Sequence, residues 1–313
     1  MILKMNKLVF SMLFLAVFGL ISCSEEPVAP VDFTTPTISN LESTTQIEPY
    51  PGQTIPWDRS GIYFYFSVAD PEGVSEVNLE VIGEFSRQSE SIFDNNFELL
   101  NHVQIFSNET NNKPIYDFPF GADTLNFDPV SIDWEGTFSV TNLPVLAGPY
   151  DILISAQDIS GNKTSSQDGT DYHTTIFVER RYAPLILRPY GLPEVVSANS
   201  EDFLALDGGI MQTEDEISTP LKFIWIKLSD KDVLGDFKGD TDQVVFEERI
   251  WGQSLRLEKS GDELPSDSSI TFNELLEIEP INFPVGKSDL VLIVWAEDEA
   301  GNVSRRVIPI EVK

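Results

Sequence analysis

Very little in this chain can carry out covalent chemistry. Its 313 residues include one cysteine, Cys23, and two histidines, His102 and His173. A single thiol excludes an intrachain disulfide, so burial must hold the fold together. Both histidines sit in polar segments, and the chain contains no H-E-x-x-H, C-x-x-C or G-x-S-x-G. A zinc hydrolase or a Ser-His-Asp hydrolase is therefore without its sequence signal. Positive charge is scarce too: 20 Lys and Arg face 51 Asp and Glu, for a net charge of −31. Such a chain repels phosphate backbones, which excludes nucleic acid as a partner. A carboxylate-based hydrolase is the one catalytic alternative, but 51 acids will place some pair together by chance. The expectation is a protein that is not an enzyme. What the chain has in quantity is apolar: 41% hydrophobic residues and 21 Phe, enough for a packed core despite the charge.

The cysteine stands at a telling place. Lys4 and Lys7 open the chain, an apolar run covers Leu8 to Ile21, and small Ser22 precedes Cys23. Those are the three zones of a secretory signal, and the run is too short to span a bilayer as a mature helix. Leu20-Ile21-Ser22-Cys23 resembles the bacterial lipobox, whose Cys is diacylated and becomes the first mature residue. The resemblance implies a lipoprotein signal peptide over 1–22 and an acylated Cys23 followed by an acidic tether over 23–32. Losing 1–22 removes two lysines and no acid, which takes the net charge from −31 to −33. Ser24-Glu25-Glu26 lacks the Asp that retains lipoproteins at the inner membrane and is similar to the surface-export signal of Bacteroidetes lipoproteins. The expected location is the outer membrane, lipid-anchored, with the cell surface as the preferred leaflet.

The mature chain reads as strands in two copies of one pattern. Tyr150 through Asn162 aligns with Leu290 through Asn302 without a gap, and Leu143-Pro144-Val145 aligns with Phe283-Pro284-Val285. The shared core is Ala156, Asp158, Gly161, Asn162 and Ala296, Asp298, Gly301, Asn302. This is a strand, a tight turn and a return strand: Asp accepts hydrogen bonds from its own turn, and Gly-Asn tolerates positive φ. Upstream, Phe64 to Asp70 matches Ile224 to Asp230, and each copy opens with Pro-x-Ile, at Pro36 and at Pro184. Short strands between Gly, Pro, Asn and Asp predict antiparallel sandwiches, with short helical turns at most over 91–100 or 273–278. The expected organisation is one domain over 33–180 and a second over 181–313. Glu179 to Pro184 is a junction too short for much independent movement.

The same residues carry a family resemblance. Asp70-Pro71-Glu72-Gly73-Val74, then Gly148-Pro149-Tyr150 and the A-x-D-x-x-G-N turn, resemble the Ig-like domains of Bacteroidetes surface lipoproteins, a family of unknown function. The resemblance implies an all-β chain of two tandem Ig-like antiparallel β-sandwich domains. The second copy departs from the pattern, with Asp230-Lys231-Asp232-Val233 for the first motif and Leu290 at the Tyr position. Ig-like folds host many unrelated functions, so the resemblance leaves activity open.

Two kinds of site are expected. Asp70 with Asp158, and Asp230 with Asp298, end strands that would reach a common pole in each copy, and hard oxygen ligands suit Ca²⁺. The simpler reading makes these aspartates turn caps, with no cofactor required. Asp230, Asp232, Asp236, Asp240 and Asp242 form a dense acidic loop, but Leu234 breaks EF-hand spacing. The second site is aromatic. The outward face Asp151, Leu153, Ser155, Gln157 becomes Val291, Ile293, Trp295, Glu297 in the second copy. An apolar outer face needs cover, from a neighbouring domain or from a ligand. Trp295 could stack on a sugar ring, as could Tyr50 and Trp57 in the proline-rich loop 48–57. The chain is thus expected to be a non-catalytic binding or structural module acting on a surface polymer or partner protein. The first alternative is a glycan-binding accessory lipoprotein of a polysaccharide-uptake system.

Overall fold

A computed structural model describes residues 34–83, 96–107, 119, 121–133, 143–187, 207–230, 244–278, 280–282, 284, 287 and 290–310. The anchor residue Cys23, its tether, and Asp232 to Asp242 of the acidic loop lie outside the described residues.

In the first half, alternation of apolar and polar residues builds two facing sheets. Thr37–Ser39 (β1), Gly61–Ala69 (β3) and Thr124–Asp133 (β6) form one sheet in the order β1-β3-β6. Thr54–Ile55 (β2), Val74–Gly83 (β4), His102–Ser107 (β5), Gly148–Asp158 (β7) and Tyr172–Val178 (β8) form the other, in the order β2-β8-β7-β4-β5. Phe64, Phe66 and Val68 of β3 face Val77, Leu79 and Val81 of β4 and Ile152 and Ile154 of β7, all fully buried. Phe66 stacks on Phe127 with ring centroids 4.4 Å apart, and Phe106 meets Phe127 edge-on at 5.2 Å. Among the described strands of this half every pairing is antiparallel except β2 with β8, which run parallel. This is an Ig-like sandwich, with the N-terminal strand divided between the sheets.

The second half repeats the plan. Leu185–Leu187 (β9), Gly209–Met211 (β10) and Ser269–Thr271 (β13) form the order β13-β10-β9, facing Leu221–Ser229 (β11), Val245–Gly252 (β12), Leu290–Asp298 (β14) and Val303–Ile310 (β15) in the order β12-β11-β14-β15. One short helix, Phe272–Ile278 (α1), falls in the expected place. A capping box starts it: the Glu274 amide donates to Thr271 Oγ1 at 3.1 Å, and the Thr271 amide donates to Glu274 Oε2 at 2.8 Å. Leu275 and Leu276 then close the core over Ile224, Ile226, Leu292 and Val294.

The closing repeat holds strand for strand, since β7 and β14 both lie at the centre of their sheets. The upstream match does not. Strand β3, with Phe64 to Val68, belongs to the sheet opposite β7, whereas β11, with Ile224 to Leu228, pairs directly with β14. The counterpart of β11 is β4: Val77 stands opposite Ala156 as Ile224 stands opposite Ala296. Both sheets of a sandwich bury one face, so alternation alone fits a strand to either sheet.

Candidate functional site

The apolar outer face of the second copy is covered by the first. Phe177 of β8 packs against Phe223, Trp225, Trp295 and Val303, and the Trp295 ring meets Phe177 edge-on at 6.1 Å. Trp295 is 1% exposed, and its Nε1 donates to Glu297 Oε1 at 2.8 Å. Glu297 also accepts from Ser254 Oγ at 2.5 Å and the Leu255 amide at 2.7 Å. Complete burial pushes this carboxyl above its ordinary range, against those hydrogen bonds and the nearby Arg256. Polar groups lock the same seam. Arg256 donates from Nε to the Gly301 carbonyl at 2.8 Å and from Nη2 to the Ala147 carbonyl at 3.2 Å. The Ala147 amide donates to Asn302 Oδ1 at 3.0 Å. A Cβ on Gly148, at φ +132°, would stand 3.1 Å from Val303 Cβ, so glycine permits the close approach. Thr35–Lys313 is accordingly one compact unit.

A cavity of about 320 Å³ opens beside this seam. Its walls come from both sandwiches. The parallel pairing of Ile55 with Val178 carries Trp57 alongside Glu179, Arg180 and Arg181, which follow β8. Strand β15 supplies Arg305 and Arg306 from the other side, over a floor of Ala183, Pro184 and Ile186. The Arg181 guanidinium lies 4.1 Å over the Trp57 ring, and the indole remains 46% exposed. Arg306 Nη1 donates to Glu179 Oε1 at 3.2 Å, and the Arg305 guanidinium sits 4.9 Å over Phe177. Burial brings Arg305 down to about 10, which leaves it cationic at neutral pH. Four guanidiniums against one carboxylate make this lining positive in a strongly negative chain.

The expected site residues are therefore not brought together as a set. Trp57 lines the cleft, while Trp295 is sealed in the seam and offers no face to a ligand. Its apolar surroundings were there for the neighbouring sandwich. Tyr50 is 37% exposed in a turn where its amide donates to Gln53 Oε1, and it does not reach the cleft lining. Asp70 and Asp158 do share a pole, because Asp158 pairs with Val74 just after the Asp70 turn. Each is engaged locally: Asp70 Oδ1 accepts the Glu72 amide at 2.9 Å, and Asp158 accepts the Asn162 amide at 2.8 Å and its Nδ2 at 2.6 Å. Asp230 and Asp298 do not meet. Strands β11 and β14 are antiparallel, so Ser229 lies opposite Val291 while Leu221 lies opposite Asp298. That separation is roughly 25 Å along the sheet at the usual strand rise. The mistaken match of β3 with β11 had placed them together. Among the described residues no group of three or more His, Cys, Asp and Glu is arranged to hold a metal. His173 Nε2 lies 3.6 Å from Asp151 Oδ2 on the outer face, away from the cleft lining.

The residues that sequence reasoning passed over are the arginines. Their signal was available: two Arg-Arg pairs, 180–181 and 305–306, hold four of the nine arginines in the chain. Nothing local says that the pairs meet.

No family model matches this chain, and no curated protein does. Among solved structures, the chain is similar to the fibronectin(III)-like modules of Clostridium thermocellum CbhA, at 11% identity over 86% of this chain and 93% of that one, with a TM-score of 0.23. It is similar to dimeric latent PorU from Porphyromonas gingivalis at 10% identity, over 92% of this chain but 21% of that one, with a TM-score of 0.26. A third is Bacteroides ovatus SGBP-B of a mixed-linkage glucan utilization locus, in complex with a mixed-linkage heptasaccharide. There the identity is 10%, over 88% of this chain and 47% of that one, with a TM-score of 0.23. At these levels the fold rests on the strand order described above, and the site on its own residues. Among the described residues no helix is long and apolar enough to cross a membrane.

Proposed function

We propose that this chain is a non-catalytic binding module, held at the outer membrane by lipid on Cys23 and presenting the seam cleft to a surface polymer. In this reading residues 23–32 are the tether, and the two sandwiches, 33–180 and 181–313, act as one stiff head. The observation that carries it is the placement of Trp57, a large half-exposed aromatic in a preformed cavity walled by both sandwiches. Concave sites with an aromatic surface and a few fixed polar groups are where ligands are held, and a stiff seam keeps such a site preorganised. The test is a polysaccharide-binding screen with the full chain extracted from membranes in detergent. Wild type should retain one polymer class, and Trp57→Ala should lose about tenfold in affinity, the worth of one aromatic contact. Retention unchanged by that substitution would sink the cleft as the site. A structural spacer is the second reading, favoured by the completeness of the seam, and a blank screen would move the weight there. The anchor has its own check: Cys23→Ala should abolish lipid labelling and membrane fractionation, and a variant that still carried lipid would refute it.

A further inference from the structure

The charge of the cleft goes further than its shape. A protein with 51 acids and 20 bases has no general reason to gather four arginines around one opening. Arg180, Arg181, Arg305 and Arg306 come from two distant stretches of chain, and among the described residues Glu179 is the only acid on the lining. Guanidiniums present planar pairs of N–H donors that fit carboxylates and sulfates. Arg181 and the Trp57 ring are in contact, so an anion meeting that guanidinium would lie beside an exposed indole surface.

We propose that the cleft binds an acidic saccharide, seating a sugar ring against Trp57 while the ring's carboxylate or sulfate ester meets Arg181 and Arg306. This rests on the reading of the chain as a binding module and adds the chemical class of its ligand. The cavity volume of about 320 Å³ suits one or two sugar residues rather than a length of polymer backbone. A short acidic terminus or side branch also fits the overall charge, because a long polyanion would be repelled by the remaining surface beyond the reach of the cleft. An acidic peptide would satisfy the arginines but would make no use of the indole, which favours the sugar.

The experiment is calorimetric titration of the detergent-solubilised full chain at physiological ionic strength. Trigalacturonate, neutral galactotriose, a sulfated galactan oligosaccharide and triglutamate are compared. An acidic sugar should bind at least about tenfold tighter than the neutral one. Carboxylate and sulfate ester are told apart by which acidic sugar binds better, and either supports the proposal. Arg181→Gln and Arg306→Gln should each weaken the acidic sugar about tenfold with melting unchanged, and Trp57→Ala should weaken it as well. Neutral sugar bound as tightly, with Trp57 required and the arginines not, would overturn the acidic preference and leave the binding reading intact. Triglutamate binding as tightly, unaffected by Trp57→Ala, would overturn the saccharide. No binding to any of the four by a properly melting wild type would overturn the acidic saccharide, and the polysaccharide screen would then decide the binding reading by itself.

Discussion

The same turn, Ala-x-Asp-x-x-Gly-Asn, is built twice and used in two ways. At Asp158 to Asn162 it stands at a free pole: Gly161 is exposed and Asn162 half-buried. At Asp298 to Asn302 it is driven into the seam, where Asp298 and Asn302 are both 0% exposed. The internal hydrogen bonds are alike: the Asn amide donates to the Asp at 2.8 Å in each copy, and both glycines hold positive φ. In the second copy Asn302 also accepts from the Ala147 amide of the first sandwich. The sheets beneath differ in the same direction. Asn78 and Ser155 face outward in the first copy where Trp225 and Trp295 stand in the second. The two sandwiches thus share an inner face and a turn and differ in the outer face, which in the second is a docking surface.

That contrast can be broken most forcefully at the tryptophan. Trp295→Ala should cost about 3–5 kcal/mol in denaturant unfolding, while Ser155→Ala, at the equivalent place, should stay within about 0.5 kcal/mol. Equal effects would mean that the seam holds little. Asn302→Ala should cost about 2–3 kcal/mol, because it orphans the buried Ala147 amide as well as part of its own turn. Asn162→Ala should cost about 1 kcal/mol in the same assay.

A pH series sharpens the comparison further. Desolvation lifts Asp298 to about 6, against hydrogen bonds from Asn302, Thr219 and Gly301. Between its ordinary value near 4 and about 6, the folded chain therefore binds the proton more tightly than the unfolded chain. Stability from this group is present in acid and lost as pH rises through that window, on the order of 3 kcal/mol. Glu297 is pushed the same way by burial, so Asp298→Asn should flatten part of the slope and leave the remainder. Urea midpoints read from pH 4 to pH 7 would check the sign; a slope that did not change in the variant would refute the assignment. The smallest effect is expected at Trp57→Ala, within about 0.5 kcal/mol of wild-type stability, as suits a half-exposed ring.

The all-β class and the closing turn were legible in the sequence because both rest on local rules. Alternation marks Phe64, Phe66 and Val68 as one buried face, and Gly-Asn marks the turn. Which sheet a strand joins is a long-range property, and this is why Ile224 to Leu228 was matched to the wrong strand. The Ca²⁺ pairing of Asp230 with Asp298 failed with it. Trp295 was legible as a residue needing cover, but whether a ligand or a neighbour supplied that cover depended on Phe177, far away in the chain. The Arg-Arg pairs were visible as dipeptides, yet their meeting depends on docking.

The cleft walls divide in a way that has a thermodynamic consequence. Trp57 and Arg181 lie on one side of the seam, and Arg305 and Arg306 on the other. A chain with its sandwiches undocked would have half a site and bind weakly. By mass action, whatever fills the cleft must favour the docked form by RT ln(1 + [L]/Kd), so an occupied molecule should resist separation of its two sandwiches more than an empty one. Under the function proposed above, ligand capture and stiffening of the paired sandwiches would then be a single event.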